Sequence, residues 1–254
     1  MEQLHPILQR WDPITLAEMD AVALLNRTDT KFVFNTDLYP SLLETLSKHY
    51  RVLEVNNSRI SNYRSLYFDT HDFAFYNKHH NGGLNRYKVR MRKYLGSDLT
   101  FFEVKFKTNK GRTDKKRIRI ADLSETLPEE AAQFVRDTYP SLSPESLVPK
   151  LWNSFSRITL VHRSQPERIT LDSALAYQFE QQHKPVNNLA IAEVKQERIN
   201  MQSDFVKAIR AAGVRPNGMS KYGIGCVLLY PDLRYNNFKP RLRTINKVTH
   251  GHHW

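Results

Sequence analysis

Within residues 84–120, Lys and Arg recur at every second position in three successive runs. The first run is Arg86, Lys88, Arg90 and Arg92, the second is Lys105 and Lys107 after Glu103, and the third is Lys115, Arg117 and Arg119. At a period of two, these side chains share one face of a β-strand and the apolar residues between them share the other. Such rows suit chemistry on phosphate groups, because Arg makes bidentate contacts with phosphate and Lys supplies a point charge.

A solvated outer sheet face is the simpler interpretation of each run taken alone. Turn residues at 96–98 and 109–111 join the three runs, which predicts three adjacent antiparallel strands. Like charges directly opposite one another across strands repel, and Glu103 is the single acidic residue in the three rows. We therefore predict a face that binds a polyanion or lines a cavity built for one.

The composition agrees with an acidic partner. The 254 residues carry a formal net charge of +12 with a sequence pI of about 9.7, and 40% are hydrophobic, enough for a full core. The single cysteine, Cys226, excludes an internal disulfide and suits a reducing compartment. We see no signal peptide and no apolar run of the roughly 20 residues that a membrane span needs. We expect a cytoplasmic protein, with a peripheral position at the inner face of a membrane as an alternative.

The rest of the chain must hold these strands. Further strands are predicted over 27–34, 51–55, 60–68, 154–162, 167–175 and 188–198, and helices over 13–25, 36–49, 73–80, 128–137, 203–212 and 217–229. These segments amount to about eight strands and predict an α+β fold, a closed antiparallel eight-stranded β-barrel with surrounding helices and its charged faces inward, since eight strands leave room for one slender ligand. We expect a helical segment at 1–26 that packs on the barrel, the barrel domain at 27–230 and a tail at 231–254.

Several short motifs occur in a characteristic order. They are Lys31, Arg90 and Arg92 in KVRMR, Glu103 and Lys105 in EVK, Arg157 in SFSRI, Arg168 in RITLD, Glu193 in AEVK, and Ser220 and Lys221 in MSKY. Each is weak alone, but the ordered set, from about 27 to 222, resembles the VTC domain. That domain is the catalytic part of the vacuolar transporter chaperone polyphosphate polymerase, a triphosphate tunnel metalloenzyme related to CYTH-type triphosphatases.

The resemblance implies a tunnel in which the γ-phosphoryl group of ATP is added to inorganic polyphosphate, with Mn²⁺ or Mg²⁺ as cofactor. It implies a catalytic, phosphate-binding set of Lys31, Arg90, Arg92, Lys105, Arg157, Arg168 and Lys221, and a metal ligand at Glu193 with Glu103 and Asp29 as helpers. The charge rows and the MSKY motif add substrate-binding candidates: Arg86, Lys88, Lys107, Lys115, Arg117, Arg119 and Ser220. The expected partners are ATP, polyphosphate or triphosphate, and a separate membrane protein; we expect no specific nucleic acid.

One departure from the related triphosphatases bears on the reaction. Their strand begins Glu-x-Glu-x-Lys, whereas residues 27–31 here read Arg-Thr-Asp-Thr-Lys, which favours a polymerase over a two-metal hydrolase. Three alternatives stay open: an inorganic triphosphatase or polyphosphatase of the same fold, a non-catalytic polyphosphate- or nucleotide-binding module, and a nucleic-acid binder suggested by charge alone. Two residues also have plainer interpretations. Glu193 could form an internal ion pair with Lys195 or a neighbouring Arg, and Lys221 could be a surface lysine at a helix start.

Overall fold

Within the described residues the chain forms eleven β-strands and eight α-helices. The structure is a computed structural model that describes residues 2–21, 28–110 and 112–251. The strands are β1 Pro13–Ile14, β2 Thr28–Asn35, β3 Tyr50–Leu53, β4 Ser61–Asp69, β5 Arg86–Tyr94, β6 Leu99–Lys107, β7 Thr113–Ile120, β8 Val148–His162, β9 Glu167–Phe179, β10 Gln182–Val186 and β11 Leu189–Gln196. The helices are α1 His5–Leu8, α2 Leu16–Ala21, α3 Tyr39–Leu46, α4 Ala74–His80, α5 Glu129–Thr138, α6 Asp204–Ala211, α7 Lys221–Leu229 and α8 Lys239–Thr249.

All eleven strands belong to one sheet. Its main path is β2-β11-β9-β8-β4-β5-β6-β7, and every pair along that path is antiparallel. The short strands β1, β3 and β10 extend it at the side, with β1 and β3 parallel. The three predicted basic strands are β5, β6 and β7, joined by tight turns as expected. The fold is therefore α+β with a large antiparallel sheet.

The predicted closure into an eight-stranded barrel is not observed. Within the described residues, the two ends of the path, β2 and β7, are not hydrogen-bonded to each other. The outer edge of β2 is occupied instead: the amide of Asn217 donates to the Lys31 carbonyl at 2.8 Å, and the Asn35 side chain donates to the Val248 carbonyl at 2.8 Å. Because the segment before α7 pairs with the backbone of β2 at Lys31 and Phe32, this edge of β2 is not open to β7 in the described structure.

The outer face of the sheet is apolar and covered by helices. Phe32, Leu171 and Val194 pack with α3 and α6, whose buried residues include Leu43 and Phe205. Around β4, β5 and β6 a second outer cluster packs with α5. Alternation along the strands thus produces the expected covered outer face, because each strand turns its other side to the concave interior.

The inner face is only partly charged. One half of it is apolar, and α7 lies against this half with Leu151, Tyr177 and Ile191 among the residues in contact. Gly225 of α7 permits the close approach, since a Cβ there would lie 2.6 Å from the Tyr177 ring. The sequence predicts a charged, water-filled interior throughout; this is wrong for the half that α7 fills.

The two chain ends differ from the predicted pattern. Thr15 and Glu18 form a capping box, Glu18 amide to Thr15 Oγ1 at 3.3 Å and Thr15 amide to Glu18 Oε2 at 2.9 Å, so α2 begins later than the helix predicted over 13–25. Residues 22–25 of that prediction lie outside the described residues. At the other end, the predicted tail contains α8, whose Leu242 and Ile245 are buried beside α7. In the described part of the chain, no helix has the length and apolar character needed to cross a membrane.

We expect Gly225→Ala to destabilise the fold. The new methyl group would sit 2.6 Å from Tyr177 and 3.0 Å from Leu151, so α7 must shift off the sheet. Overpacking of this kind costs about 1–3 kcal/mol, against a gain of about 1 kcal/mol in helix propensity. Urea or thermal denaturation measures the net loss. Gly96→Ala is the control, because nothing lies within 4 Å of its Cβ position; equal stability of the two variants would contradict the packing described.

Candidate functional site

The uncovered half of the inner face forms a cavity of about 1580 Å³. It is lined by all seven predicted catalytic residues, Lys31, Arg90, Arg92, Lys105, Arg157, Arg168 and Lys221. It is also lined by Arg86, Lys88, Lys107, Lys115, Arg117 and Ser220, and by the three predicted carboxylates Asp29, Glu103 and Glu193. Arg119 is the exception among the predicted residues: it is exposed and donates to the Asp98 carbonyl at 3.3 Å. The strands and the start of α7 therefore bring together all but one of the predicted site residues.

Glu103 lies between two cations on neighbouring strands. Arg90 Nε on β5 is 2.6 Å from Glu103 Oε2, and Lys115 Nζ on β7 is 2.6 Å from Glu103 Oε1. Burial by itself raises the pKa of Glu103, but the charges of Arg90 and Lys115 outweigh it and hold that pKa below its ordinary value. Glu103 is therefore a buried anion that fixes Arg90 and Lys115 in place.

Glu193 has the same arrangement on the other side of the cavity. Its two carboxylate oxygens meet Lys31 Nζ at 2.8 Å and Lys195 Nζ at 2.5 Å. Burial lowers the pKa of Lys195 to about 8 although Glu193 opposes the shift. The ion pair with Lys195, which the sequence offers as the plainer interpretation of Glu193, is thus present. Lys195 stands two positions after Glu193 in β11, so the period-two pattern was the signal for this cavity residue.

Asp172 is the centre of a third group of the same kind. Asp172 is not among the site residues that the sequence predicts. Arg157 holds it with two parallel bonds, Nε to Oδ1 at 2.6 Å and a terminal nitrogen to Oδ2 at 2.8 Å. Lys221 Nζ, from the first residue of α7, lies 2.5 Å from Oδ2. Lys221 is therefore a largely buried cation paired in the interior, which corrects its interpretation as a surface lysine. Asp172 shares a strand face with Arg168 and Thr170, and that pattern was its signal in the sequence.

We call these three arrangements the carboxylate triads: Glu103 with Arg90 and Lys115, Glu193 with Lys31 and Lys195, and Asp172 with Arg157 and Lys221. Between them stands Arg92, whose Nε donates to Ser65 Oγ at 3.1 Å and whose guanidinium lies 5.3 Å from the Tyr63 and Phe155 rings. Burial, reinforced by the charges of Arg90 and Arg157, lowers the pKa of Arg92 to about 10, so it stays charged at neutral pH.

The start of α7 is tied to the sheet by polar contacts. Ser220 caps the helix, accepting from the Gly223 amide at 3.1 Å, and it also accepts from Lys88 Nζ at 3.1 Å. Tyr222 donates to Asp69 Oδ2 at 2.5 Å, and Asp69 accepts the amides of Phe75 and Tyr76 at the start of α4. These bonds fix the direction in which Lys221 enters the cavity.

The chemistry available here is that of anion binding. Lys and Arg far outnumber Asp and Glu around the cavity, and they come from several strands of the sheet and from α7 and α8. Among the described residues, no group of three His, Cys, Asp or Glu side chains could hold a metal ion by itself. A slender polyanion threaded through the cavity would meet charge-assisted donors along its length. The class that these features define is a protein with a strongly cationic cavity on the inner side of a curved antiparallel sheet.

The family follows from comparison with known proteins. The model of the VTC domain matches residues 26–230, and the chain therefore belongs to the VTC domain family. No curated protein gives a significant sequence match.

Two of the solved structures to which the chain is similar illustrate the low level of similarity. The first is a Bacillus halodurans protein assigned as an adenylate cyclase, at 14% identity and a TM-score of 0.48, covering 77% of this chain and 94% of that one. The second is the Hippeastrum protein HpAC1, assigned as an adenylyl cyclase and described as having a dominant triphosphatase activity, at 13% identity and a TM-score of 0.48, covering 78% and 94%. At this similarity neither bears on the activity of this chain.

We expect Asp172→Asn to destabilise the protein at neutral pH by about 3 kcal/mol, because Arg157 and Lys221 would be left as a buried pair of like charges. The depressed pKa of Asp172 means that its contribution is present above the unfolded value of 3.8 and is lost as the pH falls below it. The difference between variant and wild type should therefore shrink on acidification, as thermal denaturation from about pH 7 to pH 3 would measure.

A matched surface control is Asp122→Asn, which removes an exposed ion pair with Lys93. We expect it to change the stability little at any pH. A pH-independent loss in Asp172→Asn would instead indicate a packing defect and contradict the electrostatic role of this carboxylate.

Proposed function

We propose that the protein transfers the γ-phosphoryl group of ATP to a growing inorganic polyphosphate chain inside this cavity. Membership of the VTC domain family and the cationic lining support a function on polyphosphate or triphosphate. The observation that carries the proposal is the set of three carboxylate triads, since they hold six cations in fixed positions around one bore. The proposed catalytic set is the one predicted from the sequence, with Lys195 added.

The proposed mechanism is positioning and charge neutralisation. Phosphoryl transfer needs little covalent help from protein, and donors that are already oriented lower the barrier without reorganisation at the moment of reaction. Arg90 and Arg157 are held through their Nε atoms by Glu103 and Asp172. Such arginines can offer their remaining N–H groups to phosphate oxygens. Lys221, fixed at the start of α7, provides a point charge for the group that is transferred or released.

The residues of this cavity could hold a divalent ion only if the phosphate groups of the substrate supplied some of its ligands. Mg²⁺ and ions like it commonly take one or two carboxylates and complete their shell with phosphate oxygens and water. Glu193 would hold such an ion, and Asp29 faces the same part of the cavity, since both carboxylates act on the charges of Lys105 and Lys195. When bound, the ion would neutralise charge on the phosphates. The predicted choice between Mn²⁺ and Mg²⁺ stays a prediction.

The direction of the reaction separates the proposal from its nearest alternative. Incubation of the protein with ATP and Mn²⁺, followed by sizing of the products on a gel, should give a ladder of polyphosphates. Orthophosphate alone, even after seeding with short polyphosphate, would replace the polymerase with the triphosphatase alternative. Binding of triphosphate without any turnover would indicate the non-catalytic module. Nothing in the fold or the family match supports the predicted membrane partner, which stays a prediction with the predicted compartment.

We expect Glu193→Gln to lower turnover on the order of 100-fold, because it removes the charge that attracts the divalent ion at the transferring phosphate. Binding of tripolyphosphate in EDTA should survive, since Lys31 and Lys195 stay in the cavity and lose their competing anion. Steady-state assays and calorimetric titration measure the two effects separately. Normal turnover of the variant with Mn²⁺ would show that another carboxylate is the ligand, and Asp29 and Glu103 would be tested next.

A further inference from the structure

The cations of the cavity differ in how their charge is balanced. Six of them are neutralised in the carboxylate triads. At one end of the cavity stands a different group, which we call the mouth cluster: Arg86, Lys88, Lys107 and Arg241. Among the described residues, no Asp or Glu forms an ion pair with any of these four. Four cations without an ion pair to a carboxylate in the described part of the chain therefore lie together at this end of the cavity.

The members of the mouth cluster lie close to one another. Arg86 and Lys107 are paired residues of β5 and β6, and Lys88 follows one step further in. Both Arg86 and Arg241 line the cavity, and burial, followed by the charge of Arg241, lowers the pKa of Arg86, so the two cations are near enough to repel each other. His79 experiences the positive charge of the same residues. Burial, and then the charges of Lys88, Arg86 and Arg241, lower its pKa to about 3, which leaves it neutral.

Arg241 comes from outside the family match, which ends at residue 230. It stands in the first turn of α8, and defined contacts fix that turn. Asn237 donates its amide to His80 Nε2 at 3.1 Å and its side-chain nitrogen to the His80 carbonyl at 3.0 Å. The Phe238 ring is buried against α7, and the Arg241 guanidinium lies 5.6 Å from it. The position of Arg241 is therefore built into the fold.

The two ends of the cavity differ in chemistry. Arg86 and Arg92 stand at opposite ends of the charged row of β5, about 20 Å apart at the rise of a strand, farther than three linked phosphates reach. The end away from the mouth cluster is lined in part by Leu53, Tyr94 and Leu95, which suit the uncharged part of a nucleotide. The mouth cluster has excess charge and no acceptor carboxylate, which suits phosphate groups alone.

We infer that the mouth cluster is a binding subsite for the phosphates of a linear polyphosphate beyond the three nearest the reacting group, and that Arg241 of α8 completes it. The inference rests on the proposed function, since it assigns the path of the chain in that reaction. Through this subsite, the helix that follows the family domain contributes to retention of long chains. Short ligands, which occupy the triads, gain little from it.

The test compares affinities for tripolyphosphate and for a long-chain polyphosphate, measured by calorimetry in EDTA at fixed salt. We expect Arg241→Gln to weaken binding of the long chain about fivefold more than binding of tripolyphosphate, the scale of one charge-assisted contact. The dependence of log affinity on log salt for the long chain should fall by about 0.7. Lys107→Gln, on β6, should act in the same way without touching α8.

Arg243→Gln is the matched control, because Arg243 lies on the same helix but is exposed and does not line the cavity. We expect wild-type affinities for both ligands. Equal losses in Arg241→Gln and Arg243→Gln, or equal losses for both ligands in Arg241→Gln, would overturn the inference. A wild-type protein that binds neither ligand would instead overturn the proposed function, so the two failures are distinguishable.

Discussion

The pairing of one buried carboxylate with two cations is the interaction on which this structure depends. Positive charges gathered on one concave surface repel each other, and burial adds a desolvation cost for each. Glu103, Glu193 and Asp172 offset both effects, and each connects cations from different elements. The triads thus join β5 to β7, and β8 to α7. The groups that prepare the cavity for phosphate are the same groups that hold its walls together.

This dual use imposes a constraint on the chemistry. A carboxylate that binds two cations competes with phosphate for them. When a ligand binds, each cation must therefore contact both the carboxylate and the phosphate. Lys and Arg have donors to spare: Arg157 uses two of its nitrogens on Asp172 and keeps further N–H groups available. The cavity can therefore stay folded without ligand and still offer donors to one.

Much of the site was predictable because strand alternation is strict. The period of two in residues 84–120 assigns Arg90, Lys105 and Lys115 to one face, and hydrogen bonding then brings those faces together. The alternation of side chains along a strand does not predict whether the two edge strands of a sheet pair with each other. Whether β2 meets β7 depends on the segment at 216–217, which is distant in sequence and has no periodic signal.

Two other misses have physical causes. Helix α7 is apolar on nearly every side, a pattern typical of a fully buried helix, but periodicity does not reveal that it lies inside the curve of the sheet. Arg241 had no signal at all, since its role follows from where Phe238 and Asn237 anchor the start of α8. Charge rows on strands can be predicted locally, whereas a cation supplied from a distant helix requires the tertiary structure.

The burial of α7 also determines how substitutions in the core would affect the cavity. Lys221, the one charged residue of α7, is the first residue of the helix, and the rest of the helix packs among apolar side chains. A helix moves as a rigid unit. A substitution that repacks a Leu or Tyr in contact with the far end of α7 would therefore displace the ammonium group of Lys221 without touching it. The tolerance of this core to substitution is thus limited by the accuracy that a phosphate site demands, and not by folding alone.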